Sequence, residues 1–228
     1  MMELRHLDAK DSLRLKDRGI YEPWETGIVH RDLKPGDVFV DIGAHIGYYS
    51  VMASDIVGPS GRVFAFEPEP ENFKTLSANI EGLSNITARR IALSSKRGTG
   101  TLHLSGSNSG DHSLNPSENR PGCATVSIST LDDELPAHTR VSFIKIDTQG
   151  HEPEVLAGMS WELAHSPGLR MLIEYTPHYL QATGHKPEDF LAFLRDSGFE
   201  IRTSATHDYR KCTVENGRHC NLYCVRDR

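Results

Sequence analysis

Asp37-Val-Phe-Val-Asp41-Ile42-Gly43-Ala44-His45-Ile46-Gly47 is the stretch whose reading decides the fold. An apolar run of strand character ends on the carboxylate of Asp41 and breaks into a turn holding two glycines four residues apart. Residues 48–56 resume at helical spacing, so the stretch reads strand, turn, helix. Glycine in such a turn tolerates unusual backbone angles and lets a ligand approach the main chain. In open α/β sheets, ligands bind in the crevice beyond the carboxyl ends of the strands. The dinucleotide fingerprint needs three glycines, whereas only Gly43 and Gly47 stand here, with Asp41 where a diphosphate would not welcome an anion.

Working outward, Gly61-Arg-Val-Phe-Ala-Phe66 is a second strand ending at Glu67-Pro68, followed by a helix across Phe73, Leu76 and Ile80. Residues 85–93 read as a third strand with an irregular end, and 141–146 as a fourth, again ending on an acid, Asp147. A helix over 153–157 leads to a fifth strand over 169–174. Residues 187–197 carry Phe190, Leu191, Phe193 and Leu194 at helical spacing and stop at Gly198, a C-terminal glycine. Asn216-Gly217 between 211–215 and 221–226 predicts a two-residue hairpin. The alternation predicts a single α/β domain over 1–228, a seven-stranded, mostly parallel sheet with helices on both faces. An antiparallel C-terminal hairpin on such a sheet suits the Rossmann-like class I methyltransferase architecture, by fold analogy. Residues 1–34 are expected to cap the sheet, and 94–126 to hold a polar loop near the acceptor site.

Composition narrows the partners. With 37% hydrophobic and 25% charged residues the chain is of ordinary globular make-up. A net charge of -6 gives no electrostatic footprint for nucleic acid or an anionic membrane surface. No apolar stretch is long enough to span a bilayer, and residues 1–16 lack the apolar core of a signal peptide, so a cytoplasmic location is expected. Three of the four cysteines, Cys212, Cys220 and Cys224, crowd the C-terminus without the paired spacing of a zinc site and are expected to be reduced thiols.

Asp41 suits a cationic, phosphate-free ligand such as S-adenosylmethionine, whose amino acid end carries an ammonium group. Glu67, 26 residues further on, ends the second strand where an acid can accept hydrogen bonds from both ribose hydroxyls. Residues 37–50, Ala65-Phe-Glu-Pro-Glu-Pro-Glu-Asn72, Ile91-Ala92-Leu93, Thr130-Leu-Asp-Asp133 and Phe143-Ile-Lys-Ile-Asp-Thr-Gln-Gly-His-Glu152 together resemble the FkbM family of methyltransferases. The likeness runs in order from Tyr21-Glu-Pro23 to Asn221. It implies S-adenosylmethionine as cofactor, held by Asp41, Gly43, Ala44, Gly47, Glu67, Pro68 and Ala92, and O-methylation of a sugar, lipid or natural product. The family's more frequent residue at the position of Gln149 is glutamate, so Gln149 cannot act there as base or metal ligand.

Asp147, at a strand end where this fold brings methyl donor and acceptor together, can orient a hydroxyl or take its proton. His112 in the polar loop is a candidate general base, its imidazole titrating near neutral pH. His151, Asp111 and Glu174 are further cleft candidates. Asp111, His112, Asp147, Glu152 and Glu174 include ligand types that Mg²⁺ accepts, but their separations do not show convergence, and no metal residue is assigned. The Tyr21-Glu-Pro-Trp-Glu25 segment is expected to pack over the sheet edge or cover the cofactor, and an exposed aromatic cap there leaves room for a homodimer. Two other functions fit part of the pattern: an NAD(P)-dependent oxidoreductase, disfavoured by the missing glycine, and a non-catalytic nucleotide-binding subunit.

Overall fold

The computed structural model describes residues 20–204 and 207–227. The expectations for residues 1–16, and for the part of the cap before residue 20, lie outside it. Helix α1 (Pro23–Asp32) precedes strand β1 (Val38–Ile42), α2 (Tyr48–Val57), β2 (Arg62–Phe66), α3 (Pro70–Asn79) and β3 (Ile86–Arg89). After β4 (Ala92–Leu93), β5 (Gly98–Leu104), β6 (Gly122–Ser129) and α4 (Leu131–Glu134) come β7 (Phe143–Ile146), α5 (Glu152–Ala157), α6 (Ser160–His165) and β8 (Arg170–Tyr175). The chain continues through α7 (Pro177–Ala182), α8 (Pro187–Asp196), β9 (Glu200–Arg202) and β10 (Cys220–Val225).

Seven strands form one sheet in the order β3-β2-β1-β7-β8-β10-β9. β10 runs antiparallel to both β8 and β9, and the other pairings are parallel. The two central strands are buried on both faces, which is why their sequences are continuous apolar runs rather than alternating ones. Alternate residues still serve different layers. Phe39, in register with Val63 and Phe143, packs against α1 and α2 through Ile28, Val29, Ala53 and Val57. Val40, in register with Phe64 and Ile144, faces the opposite layer with Val155, Leu156, Leu191 and Leu194. Each large apolar side chain fully buried in these layers contributes roughly 1.5–3 kcal/mol. The chain passes from β1 outward through β2 to β3 and resumes on the other side at β7, so the topological switch lies between β1 and β7.

Three expectations need correction. The third strand divides: β3 joins the main sheet, while β4 turns away into a separate three-stranded sheet in the order β4-β6-β5. Much of the expected polar loop is therefore strand. β5 and β6 pair over seven positions, from Gly98↔Ile128 to Leu104↔Gly122, leaving only residues 105–121 as the loop between them. The Asn216-Gly217 turn exists, with Gly217 at φ 61°, but it does not join two strands directly. Asn216 accepts from the amides of Thr213 and Arg218 and donates to the Lys211 carbonyl, closing a loop on itself, and residues 209–211 form a 3₁₀ turn. The strand that precedes β10 and pairs with it is instead β9, at the far end of that connection. On α8, Phe190, Leu191 and Leu194 are buried while Phe193 faces solvent.

Gly158 follows α5 so tightly against the end of β4 that a Cβ there would lie 2.0 Å from the Ser94 carbonyl oxygen. Gly158→Ala is expected to cost about 1–3 kcal/mol of stability by forcing these segments apart, read by urea unfolding.

Candidate functional site

A cavity of about 690 Å³ opens above the carboxyl ends of the strands at the switch point, within the roughly 300–1,000 Å³ range of ligand sites. Its floor is the turn after β1. The amides of Gly43 and Ala44 both donate to the Phe66 carbonyl at 3.0 Å, and the Gly47 amide donates to the Ala44 carbonyl at 2.8 Å. A Cβ on Gly43 would lie 2.0 Å from the Asp147 carbonyl oxygen, and φ there is +78°, so the glycine is required by the close passage of the β7 exit. Gly47, buried behind the turn at φ +89°, leaves room for Leu76, whose Cδ1 would be 2.5 Å from its Cβ. Gly47 is thus the one proposed cofactor contact that does not line the cavity. Asp41, Gly43, Ala44, Glu67, Pro68 and Ala92 do.

Glu67 fastens the turn to the neighbouring strand. Its Oε2 accepts the His45 amide and its Oε1 the Glu69 amide, each at 2.9 Å. Burial outweighs these two N–H bonds and pushes its pKa up to about 8. Beyond it, Ile91, Ala92, Leu93, Leu102 and Leu114 make an apolar wall from the second sheet and its loop. Loop 105–121 closes over this side. Asn72 Nδ2 donates to the Ser109 carbonyl at 2.9 Å, and His45 Nε2 lies 3.0 Å from the Ser109 hydroxyl.

On the other side of the switch, Lys145 Nζ donates to Asp147 Oδ2 and Gln149 Nε2 to Asp147 Oδ1, both at 2.8 Å. Burial works against the Asp147 charge, but Lys145 and Gln149 overcome it and hold the carboxyl below the usual range. Burial likewise opposes the charge of Lys145, and Asp147, Glu22 and Asp41 more than restore it. A glutamate at 149 would set a second carboxylate against Asp147, where the amide instead donates. Asp41 is buried, takes the Ser50 hydroxyl on Oδ2 at 2.6 Å, and has no partner for Oδ1 among the described residues. Glu174 at the end of β8 lines the cavity, its pKa pushed well up first by burial and then by Asp147 and Glu152.

His112 is in the cavity wall, with burial lowering its pKa. Its Nδ1 accepts the Ser105 amide at 3.0 Å, which leaves Nε2 carrying the hydrogen in the neutral ring. The nitrogen left over is a donor, so this geometry does not suit His112 to the work of a base. His151 lines the rim with Nε2 3.0 Å from the Ser94 hydroxyl. The suggested metal ligands do not converge: Asp111 pairs with Arg120 at 2.7 Å, and Glu152 is consumed by the Thr148 and Gly150 amides. Among the described residues, no three His, Cys, Asp or Glu side chains form a metal site.

Backbone strain picks out residues that residue type alone did not. Four described non-glycine residues have positive φ, and three of them, Glu22, His45 and Gln149, line the cavity. Among the described residues, seven carboxyl side chains face the cavity against a single lysine, Lys145.

Known proteins resemble the chain in sequence and in fold. A family model described as the methyltransferase FkbM domain matches residues 41–201. Methyltransferase sdnD of Sordaria araneosa is 28% identical over 207 residues, covering 75% of this chain and 76% of that protein. Hexuronic acid methyltransferase AglP of Haloferax volcanii is 32% identical over 130 residues, covering 54% of this chain and 50% of that protein. In fold, the chain matches a TehB-like S-adenosylmethionine-dependent methyltransferase from Corynebacterium glutamicum with a TM-score of 0.51 at 12% identity, covering 96% of each chain. No described helix is long and apolar enough to cross a membrane. The oxidoreductase reading falls, and the chain belongs to the FkbM methyltransferase domain family as an S-adenosylmethionine-dependent enzyme.

Proposed function

We propose that this enzyme methylates a hydroxyl of a small, uncharged polar acceptor, with the cofactor over β1 and β2 and the acceptor over β7 and β8. The observation that carries the reading is Asp147, a carboxylate kept ionised by Lys145 and Gln149 at the boundary between the two halves of one cavity.

The residues on the first side fit the cofactor. Glu67, with both oxygens already fixed by backbone amides, keeps lone pairs for the two ribose hydroxyls. The apolar wall from Ile91 to Leu93, Leu102 and Leu114 takes a flat base, and Pro68 and Ala44 border it. The unpartnered Oδ1 of Asp41 awaits a donor. When bound, S-adenosylmethionine supplies an electrophilic methyl group on a sulfonium. The chain's own work is then orientation. Asp147 accepts the hydrogen bond of the acceptor hydroxyl, turns its lone pair toward the cofactor side, and takes the proton as the oxygen is methylated. Because its pKa is held low, Asp147 is a weak base, and placement of the two reactants supplies most of the rate. His112 offers its Nε2 hydrogen as a donor in the cavity wall.

The surplus of carboxyls bears on the acceptor. An anionic acceptor such as a hexuronate would enter a cavity in which the one lysine among the described residues is already paired with Asp147. Between matched acceptors differing by one carboxylate, the neutral member is expected to have about tenfold higher kcat/KM, measured by S-adenosylhomocysteine release. Asp147→Asn is expected to lower turnover by about 10²–10⁴-fold while S-adenosylhomocysteine affinity by calorimetry stays near wild type. Equal turnover by the variant would remove Asp147 from the chemistry.

Glu67 makes a pH prediction. Its folded pKa of about 8 lies above the model-peptide value of 4.5, so its contribution to stability is complete below about 4.5 and lost as pH rises through 8. Glu67→Gln cannot ionise, and its unfolding free energy is expected to fall less between pH 5 and pH 8 than that of wild type, read by urea unfolding at the two values.

A further inference from the structure

Glu22 stands just before α1 in a left-handed backbone conformation, φ 43° and ψ 71°, which a non-glycine residue adopts only when its surroundings hold it there. Those surroundings are specific. Its carbonyl accepts the Thr26 amide at 2.9 Å, and its Oε2 accepts the Tyr49 hydroxyl at 2.7 Å. Tyr49 is buried, and Lys145 Nζ sits 4.9 Å from the centre of its ring. The preceding residue of α2, Tyr48, holds the same segment by accepting the Tyr21 amide at 3.2 Å, with the two rings edge to face at 5.5 Å. Two consecutive aromatics, directly after the Gly43–Gly47 turn, thus fix a carboxylate on the wall of the cavity. The start of a helix does not need this.

We propose that Glu22, through Oε1, pairs with the ammonium group at the methionine end of the bound cofactor. This rests on the reading above, in which Glu67 takes the ribose. The adenosine then lies over β2, and the methionine end runs toward β7, where Lys145 and Asp147 are the charged neighbours of Glu22. The ammonium has three N–H groups to satisfy. Asp41 Oδ1 is a buried acceptor without a partner among the described residues, and the Tyr49 hydroxyl engages Glu22 at Oε2 rather than Oε1. Lys145 favours the Glu22 charge only from a distance, because its direct ion pair is with Asp147 at 2.8 Å.

The charge state of Glu22 follows from everything packed around it. Burial is the largest influence and pushes its pKa up to about 7. Lys145 and the Tyr49 hydroxyl pull it down, while Asp147 from β7 and Glu25 from α1 push it up. Glu174 on β8 also interacts with it, and Asp41, His207 and His219 line the same cavity. A cation arriving beside Glu22 favours the ionised form, so binding near pH 7 expels part of a proton.

Calorimetry separates this role from a structural one. S-adenosylhomocysteine and 5′-methylthioadenosine share the adenosine and the thioether, but only the first has the ammonium. Wild type and Glu22→Gln are titrated with both at pH 7, in two buffers of different ionisation enthalpy. Wild type is expected to release protons on binding S-adenosylhomocysteine, because the arriving ammonium favours the ionised form of a carboxyl whose pKa burial has raised. The variant is expected to bind S-adenosylhomocysteine about tenfold more weakly, release fewer protons, and bind methylthioadenosine as wild type does. Unchanged methylthioadenosine affinity also reports an intact fold. Wild-type affinity and proton release in the variant overturn the proposal, as does an equal loss for both ligands. If wild type itself binds neither compound, the assignment of the cofactor site fails as well, which is a different result.

Discussion

The carbonyl of Asp147 lies where a side chain on Gly43 would have to be, and the rest of the site is built around that approach. It joins the exits of β1 and β7, the two strands between which the chain reverses its direction of travel across the sheet. The Asp147 amide donates to the Ile42 carbonyl at 3.0 Å, so the strands stay paired to their last residues. Only a residue without Cβ, able to hold φ +78°, allows both the pairing and the turn that follows. One consequence is chemical. Asp41 and Asp147 end up on adjacent strand tips, and Lys145, one pleat back on β7 in register with Asp41, sits between them and Glu22.

That lysine orders the charges. It holds Asp147 ionised by a direct bond and influences Asp41 and Glu22 without bonding to them in the same way. The cavity therefore contains carboxyls in different states. Asp147 is pinned as an anion, Glu22 is balanced near neutrality, and Glu67 and Glu174 are pushed further up. Carboxyl groups whose surroundings drive their pKa values apart can take separate roles at one pH.

Features set by local chemistry were legible in the sequence. The acid-ended strands, the two-glycine turn and Glu67 depend on neighbours close in the chain, and the structure has them where the pattern predicts. Features set by distant packing were not. Gly47 and Gly43 look alike in sequence, yet one makes room for Leu76 and the other for the β7 backbone. In residues 94–126 the strand signal was masked by Gly, Ser and Thr: β5 reads Gly-Thr-Gly-Thr before its apolar residues, and the alternation of Ala124, Val126 and Ile128 in β6 was passed over beside the polar stretch that precedes it. The Asn216-Gly217 signal was real as a turn, but pairing was decided 14 residues earlier at Arg202, which faces Tyr223. The tautomer of His112 depends on the amide of Ser105, and the strain at Glu22 depends on Tyr49. Neither could be read from residue type or spacing.

The charge balance of the cavity also explains why a cationic ligand belongs there. Buried carboxyls such as Glu67 and Glu22 hold protons in the fold that they would lose in the unfolded chain above about pH 4.5, so their burial weighs against stability at neutral pH. A well-packed neutral lining would avoid that cost. Keeping the carboxyls is intelligible if a ligand brings donors to them, ribose hydroxyls to Glu67 and an ammonium to Glu22, because any group that binds only the folded state shifts the folding equilibrium in its favour. Asp41, buried with one oxygen unpartnered, fits the same account, since an unsatisfied buried acceptor is tolerated where a donor arrives from outside the chain. The sheet supplies the geometry, and carboxyls whose ionised form a cation favours supply the preference for it at the head of β1.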